Sequence, residues 1–210
     1  MKRRAHLLKP LRPPALIAGA ALAALVALAP APMLRAETTG KPVEPSPEAA
    51  DPAARNRALL AELADPANQT WRRTERAILM HWSQSGSASM DLLLERGRLA
   101  MQAGDVPAAL DHLSALVERA PDFAEGWNAR ATAYYMSGQF GASVSDIART
   151  LALNPDHFGA LAGLGMIWRN LDEPERALEA YRAAHRIHPH HPDIAAAIAA
   201  IEAELGGQDI

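Results

Sequence analysis

Four histidines crowd one short stretch, His185, His188, His190 and His191, and imidazoles three residues apart on a helix can share a metal ion. Pro189 interrupts the stretch, and no cysteine or regularly spaced acid completes a set of ligands. The spacing therefore reads better as polar chemistry at a helix C-terminus, where such side chains complement the negative end of the helix dipole. His157 ends its own block of chain as His191 does, and is expected in a surface turn. Asp111-His112 and Asp156-His157 are neighbours in sequence, but adjacency alone builds no proton relay. The absence of cysteine removes thiolate nucleophiles, disulfides and Cys-ligated zinc together. No phosphate-cradling Gly-rich loop, paired-carboxylate motif or Gly-x-Ser-x-Gly elbow is present. The expectation is no cofactor, no metal site and no enzyme, with a His-rich metal-binding protein as the alternative.

The elements that would carry such groups are helical. The 210 residues are 49% hydrophobic but only 5% aromatic, so the apolar mass is largely Ala and Leu, which suits close helix packing better than a pleated sheet. Charge is divided unevenly. Lys2, Arg3, Arg4, Lys9, Arg12 and Arg35 precede the first acid, Glu37, and the rest of the chain carries a formal −9. A body that acidic offers no electrostatic footprint for nucleic acid.

Residues 1–36 have a basic leader, a 15-residue apolar run from Ala15 to Ala29, and Leu34-Arg35-Ala36 before Glu37. These are the parts of a secretory signal peptide, and the run is shorter than the roughly 20 residues of a membrane-spanning helix. Cleavage after Ala36 and a periplasmic location are expected, with an uncleaved inner-membrane anchor as the alternative. Residues 37–54 are rich in Pro and Ala, with almost nothing large to bury, and read as a disordered linker.

From residue 90 the chain repeats. Blocks beginning at Met90, Ala124 and Phe158 are each 34 residues long and abut without insertion. Small residues fall at position 8 (Gly97, Ala131, Gly165) and position 20 (Ala109, Ser143, Ala177). Bulky ones fall at position 4 (Leu93, Trp127, Leu161) and position 24 (Leu113, Ile147, Tyr181), and proline at 32 (Pro121, Pro155, Pro189). Small residues let two helices approach closely, bulky ones fill the space between stacked pairs, and proline ends the second helix. Residues 90–123, 124–157 and 158–191 thus resemble tetratricopeptide repeats, with Ala100 in place of an aromatic and Ser143 in place of Ala as mild departures.

The resemblance implies an all-α, right-handed solenoid of three helical hairpins without strands. Two further elements are read as covering its ends. At the C-terminus, Ile194, Ile198, Ile201 and Leu205 make one apolar stripe on a capping helix, 192–206. At the other end, residues 55–86 form a hairpin with Leu59, Leu60, Leu63, Trp71, Ile78 and Trp82, expected to cover the open face of the first repeat.

In the family the concave face, lined by positions 2, 5, 9 and 12 of each first helix, binds partners. Here those positions hold Asp91, Leu94, Arg98 and Met101, then Glu125, Asn128, Thr132 and Tyr135, then Gly159, Ala162, Met166 and Arg169. The candidate partner-binding groove is Leu94, Arg98, Met101, Asn128, Thr132, Tyr135, Met166 and Arg169. Such a mixture of amide, cation, thioether and phenol suits an extended or helical peptide segment. Of the positions that would clamp a chaperone C-terminus in the family, only Arg98 carries a suitable side chain, which argues against that use. The expected function is an exported protein–protein interaction adaptor, in cell-envelope assembly, with self-association as a further possibility.

Overall fold

The computed structural model describes residues 51–207. The expected signal peptide or anchor, and the linker up to residue 50, lie outside the described residues. Within them are nine helices and no strand: α1 (Pro52–Ala64), α2 (Trp71–Trp82), α3 (Ala88–Gln102), α4 (Val106–Arg119), α5 (Ala124–Met136), α6 (Phe140–Leu153), α7 (Phe158–Asn170), α8 (Pro174–Ile187) and α9 (Pro192–Gly207). No helix among the described residues is long and apolar enough to cross a membrane.

Helices α3–α4, α5–α6 and α7–α8 are the three hairpins expected from the repeat, and interlocking of positions 8 and 24 explains their tightness. A Cβ on Gly97 would lie 2.5 Å from Leu113, and one on Gly165 would lie 2.8 Å from the Tyr181 ring. In the middle hairpin, Ala131 and Ile147 share one buried cluster with Ala160 and Ile167. Ser143 keeps its hydroxyl by donating to the Ala131 carbonyl of the facing helix at 2.7 Å, so a polar group survives where Ala is usual. The turns are equivalent too. Gly104 (φ 75°), Gly138 (φ 73°) and Asp172 (φ 59°) occupy the same fifteenth position of their blocks, each in the left-handed region.

The first helices of successive hairpins touch one another, α3 with α5 and α5 with α7, whereas the second helices make no comparable contact. The stack therefore curves with its first helices on the inside. At the C-terminal end, Ile194 and Ile201 of α9 are buried against Ala177, Leu178, Tyr181 and Ala184, as expected for a cap. Arg182 to Glu202 pins the outer edge of the same contact.

The N-terminal hairpin departs from expectation in two ways. Helix α1 starts at Pro52, inside the stretch read as linker, because Asp51 accepts from the Ala53 N–H at 2.9 Å and proline stands at the helix start, where it suits the backbone. The hairpin also does not cover the first repeat. Leu60, Leu63, Ile78 and Trp82 form a core with Phe158 of α7, flanked by Ile187 of α8. The reason lies in the tryptophans, whose flat faces find imidazole and phenyl rings at the ends of the second and third hairpins and none on α3.

Candidate functional site

On the inner face, four of the eight expected groove residues come together. Asn128, Thr132, Tyr135 and Met166 line a cavity of about 70 Å³, floored by Ile147 and Ile167 and opened by Gly159 and Gly163. Helices α5 and α7 supply its walls and α6 its base. The two glycines widen it: a Cβ on Gly163 would lie 3.7 Å from Ile147 at the floor, and one on Gly159 3.5 Å from His157. Tyr135 is oriented from both ends. Its ring lies 5.7 Å from Phe140, and its hydroxyl accepts from Asn170 Nδ2 at 2.9 Å. Thr132 donates to the Asn128 carbonyl at 3.1 Å, and its hydroxyl oxygen keeps the capacity to accept. Met166 is 42% exposed and forms an adaptable lip.

The other four are placed differently. Leu94 is 2% exposed and belongs to the core of the first hairpin with Ala109, Leu113, Leu116, Ala129 and Ala133, so it is unavailable to a partner. Small side chains opposite it, Ala109 of α4 and Ala129 and Ala133 of α5, leave the space it fills. Met101 packs against the same core. Arg98 is committed to Glu125 and to Ser83 Oγ (3.1 Å), and Arg169 to Glu204 of the C-terminal helix at 2.5 Å. With Arg98 neutralised by an acid of its own chain, no free cation remains among the clamp-equivalent positions.

A second polar assembly went unread in the sequence. Glu125, only 7% exposed, meets Arg98 on one side and His157 Nε2 at 2.9 Å on the other, with Asn128 Nδ2 at 3.4 Å. His157 Nδ1 accepts from the Ala160 N–H at 3.1 Å and so caps α7. That contact places the ring proton on Nε2, facing the Glu125 carboxylate. Trp82 closes over it, 4.6 Å from the His157 ring centroid, while its own Nε1–H donates to Asn56 Oδ1 at 2.8 Å. His157 is thus 2% exposed and not a surface-turn residue.

The histidine cluster continues this seam. His188 is fully buried between Trp71 (5.5 Å), Phe158 (5.1 Å) and His191 (5.3 Å), with Glu75 Oε1 3.3 Å from its Nε2. Burial lowers its pKa below the ordinary 6.5, opposed in part by Glu75. His190 stacks on Trp71 at 5.9 Å and donates from Nε2 to the Asp65 carbonyl at 2.8 Å. Among the described residues no group of three or more His, Asp or Glu side chains is arranged to hold a metal ion. His157, His188 and His190 instead form the surface on which α1–α2 rests. A sequence signal existed in hindsight: two tryptophans and two hydrophobic-rich helices precede the repeats, and histidines end two of the blocks.

Comparison with known proteins decides what the stack is. Residues 94–146 and 128–192 match the tetratricopeptide repeat family model. This segment is a tetratricopeptide-repeat array. Over 112 residues the chain is 38% identical to a TPR repeat-containing protein of Rhizobium etli, a match covering 53% of this chain and 55% of the relative, so the chain spans about half the length of that relative. The first TPR domain of Spaghetti (RPAP3), bound to an HSP90 peptide, superposes with a TM-score of 0.55 at 22% identity, covering 57% of this chain and 95% of that one. The TPR2B domain of yeast Sti1, in complex with an Hsp70 peptide, gives a TM-score of 0.53 at 19% identity, with coverage of 56% and 99%. At such identities the likeness speaks for the fold, and the groove of the present array has its own chemistry: an apolar floor with an amide, a hydroxyl and a phenol at the rim.

Proposed function

We propose that the array is a protein–protein interaction adaptor that holds an extended or helical segment of a partner on its inner face, with the Asn128–Thr132–Tyr135–Met166 cavity as the central contact. The observation that carries this reading is the cavity itself: an apolar pocket opened by two glycines, with hydrogen-bonding groups at its rim. The amide of Asn128 can both donate to and accept from a peptide backbone, and the pocket admits a small apolar side chain beside it. The similar repeat domains that hold HSP90 and Hsp70 peptides support the class of ligand. The ligand here differs from an acidic chaperone tail, because Arg98 is already paired with Glu125. The basic leader, apolar run and Pro-rich linker support export, and therefore work in the periplasm on cell-envelope assembly, either as a free protein or tethered by the uncleaved run. The body carries no motif of catalysis, and the reading needs none.

The test is affinity capture from an envelope extract with wild-type bait and a bait carrying Thr132→Arg and Met166→Arg. Both positions are exposed, so the fold is spared while the cavity is blocked. A partner held by the wild type and lost from the double variant supports the groove. A partner held equally by both moves the binding surface elsewhere.

A further inference from the structure

Positions 3 and 10 of each first helix face the preceding hairpin. In the second hairpin, Gly126 is buried close to Leu116 of α4, where a Cβ would lie 3.1 Å from it, and Ala133 is fully buried. In the third, Ala160 and Ile167 are each 1% exposed and pack with Ile147 of α6. The first hairpin holds Leu92 and Leu99 at the same two positions, and they are 49% and 52% exposed. The hairpin α1–α2, which could have covered them, rests on the third repeat instead. Leu92 is larger than both of its buried counterparts and Leu99 as large as the larger of its own, yet both stand on an open stacking face.

The residues around these leucines say what covers them. Along the middle of the exposed face of α3 stand Ala88, Leu92, Glu95, Arg96, Leu99 and, just past the helix end, Ala103, with exposed Ser89 and Gln102 at its two edges. The order is a palindrome with its charges reversed about the centre. When a second α3 lies antiparallel across a two-fold axis between Glu95 and Arg96, Leu92 meets Leu99, Ala88 meets Ala103, and Glu95 meets Arg96 of the second copy, each contact occurring twice. A parallel arrangement would instead set Glu95 beside Glu95. Neither charge forms an ion pair within the chain among the described residues. The small residues at both ends let the helices approach, and a two-fold interface must be self-complementary in this manner.

We infer that this face binds a second copy of the same chain, forming a two-fold dimer through antiparallel α3 helices that leaves both inner grooves open. One helix per copy places the contact at the small end of specific interfaces, so a weak, concentration-dependent dimer is expected. The surface is separate from the groove, and the dimer doubles the number of grooves presented to one partner assembly.

Sedimentation velocity of the purified protein over concentrations from about 1 to 500 μM tests this. The wild type should pass from monomer to dimer. Glu95→Arg alone sets like charges together twice, as does Arg96→Glu alone, and each should weaken dimerisation about tenfold or more. The double exchange, Glu95→Arg with Arg96→Glu, restores opposite charges at both contacts and should restore the dimer, which also shows that loss in the single variants is not misfolding. A wild type that stays monomeric throughout would overturn the inference. So would a dimer indifferent to the single reversals, or open-ended growth into larger species, which would mean head-to-tail stacking.

Discussion

The repeat array and the N-terminal hairpin are both made of paired helices, yet they are held by different physics. Within the array, apolar groups of matched size interlock at equivalent positions, as Gly97 does with Leu113 and Gly165 with Tyr181. Between the hairpin and the array lies a seam of tryptophan, imidazole and carboxylate: Trp82 on His157, Trp71 on His188 and His190, Glu75 beside His188. The first kind of contact depends on volume and responds little to solution conditions. The second contains His188, whose burial disfavours its charged form, so its strength can change with pH without any change in the array.

The sharpest way to separate the two regions is Trp82→Ala. It removes the stacking on His157 and Phe158 and the hydrogen bond to Asn56, and should cost about 3–5 kcal/mol of hairpin docking. Hydrogen exchange should then rise across residues 52–82 while the array stays protected. Uniform loss of protection would show that the two regions form one cooperative unit.

The reverse case is Gly97→Ala, whose added methyl would fall 2.5 Å from Leu113. A loss of about 1–3 kcal/mol in urea unfolding is expected, from overpacking in the array. Unchanged stability would mean that Leu113 has room to move aside.

Acidification should loosen the hairpin alone. The pKa of His188 is depressed in the folded protein, so its neutral form is favoured there and the unfolded state takes up protons first. The stability linked to this group is complete above the ordinary pKa of 6.5 and is lost as pH falls from that value through the lower folded one. The groups facing the ring are Glu75 from α2, His190 and His191 from the loop before α9, and the uncharged Trp71 and Phe158. Limited proteolysis near residues 65–70 should accelerate between pH 7.5 and 5.5, and His188→Phe should flatten that dependence. An equal acceleration in the variant would assign the effect to another group.

The smallest effect is expected at Asp172, the one non-glycine at the shared turn position, with φ 59°. Asp172→Gly relieves the side chain's strain but frees the unfolded chain, leaving a gain of less than about 1 kcal/mol. A melting temperature lower than that of the wild type would show that the aspartate side chain contributes more at this turn than its backbone strain costs.

Much of this molecule was readable before any coordinates. The 34-residue spacing of Gly97, Ala131 and Gly165 against Leu113, Ile147 and Tyr181 identifies three hairpins, because each position meets the same neighbours in every copy. The candidate groove was only half legible. Asn128, Thr132, Tyr135 and Met166 do share a cavity, but Leu94 is core and Arg98 already has a partner. Position within a repeat says which way a residue points on an average helix, and it does not say what stands opposite.

The sequence by itself determined helical class, repeat length, the proline and glycine punctuation and the C-terminal cap, all of which depend on contacts between residues close along the chain or equivalent by periodicity. Only the tertiary structure decided that α1–α2 reaches past the first repeat to Phe158 and His188. It likewise decided that Glu125 and His157 are buried together, and that Leu92 and Leu99 remain open. Those outcomes rest on pairings such as His190 with Asp65, separated by 125 residues. No period links such residues, and packing alone selects among the many partners a tryptophan or an imidazole could take.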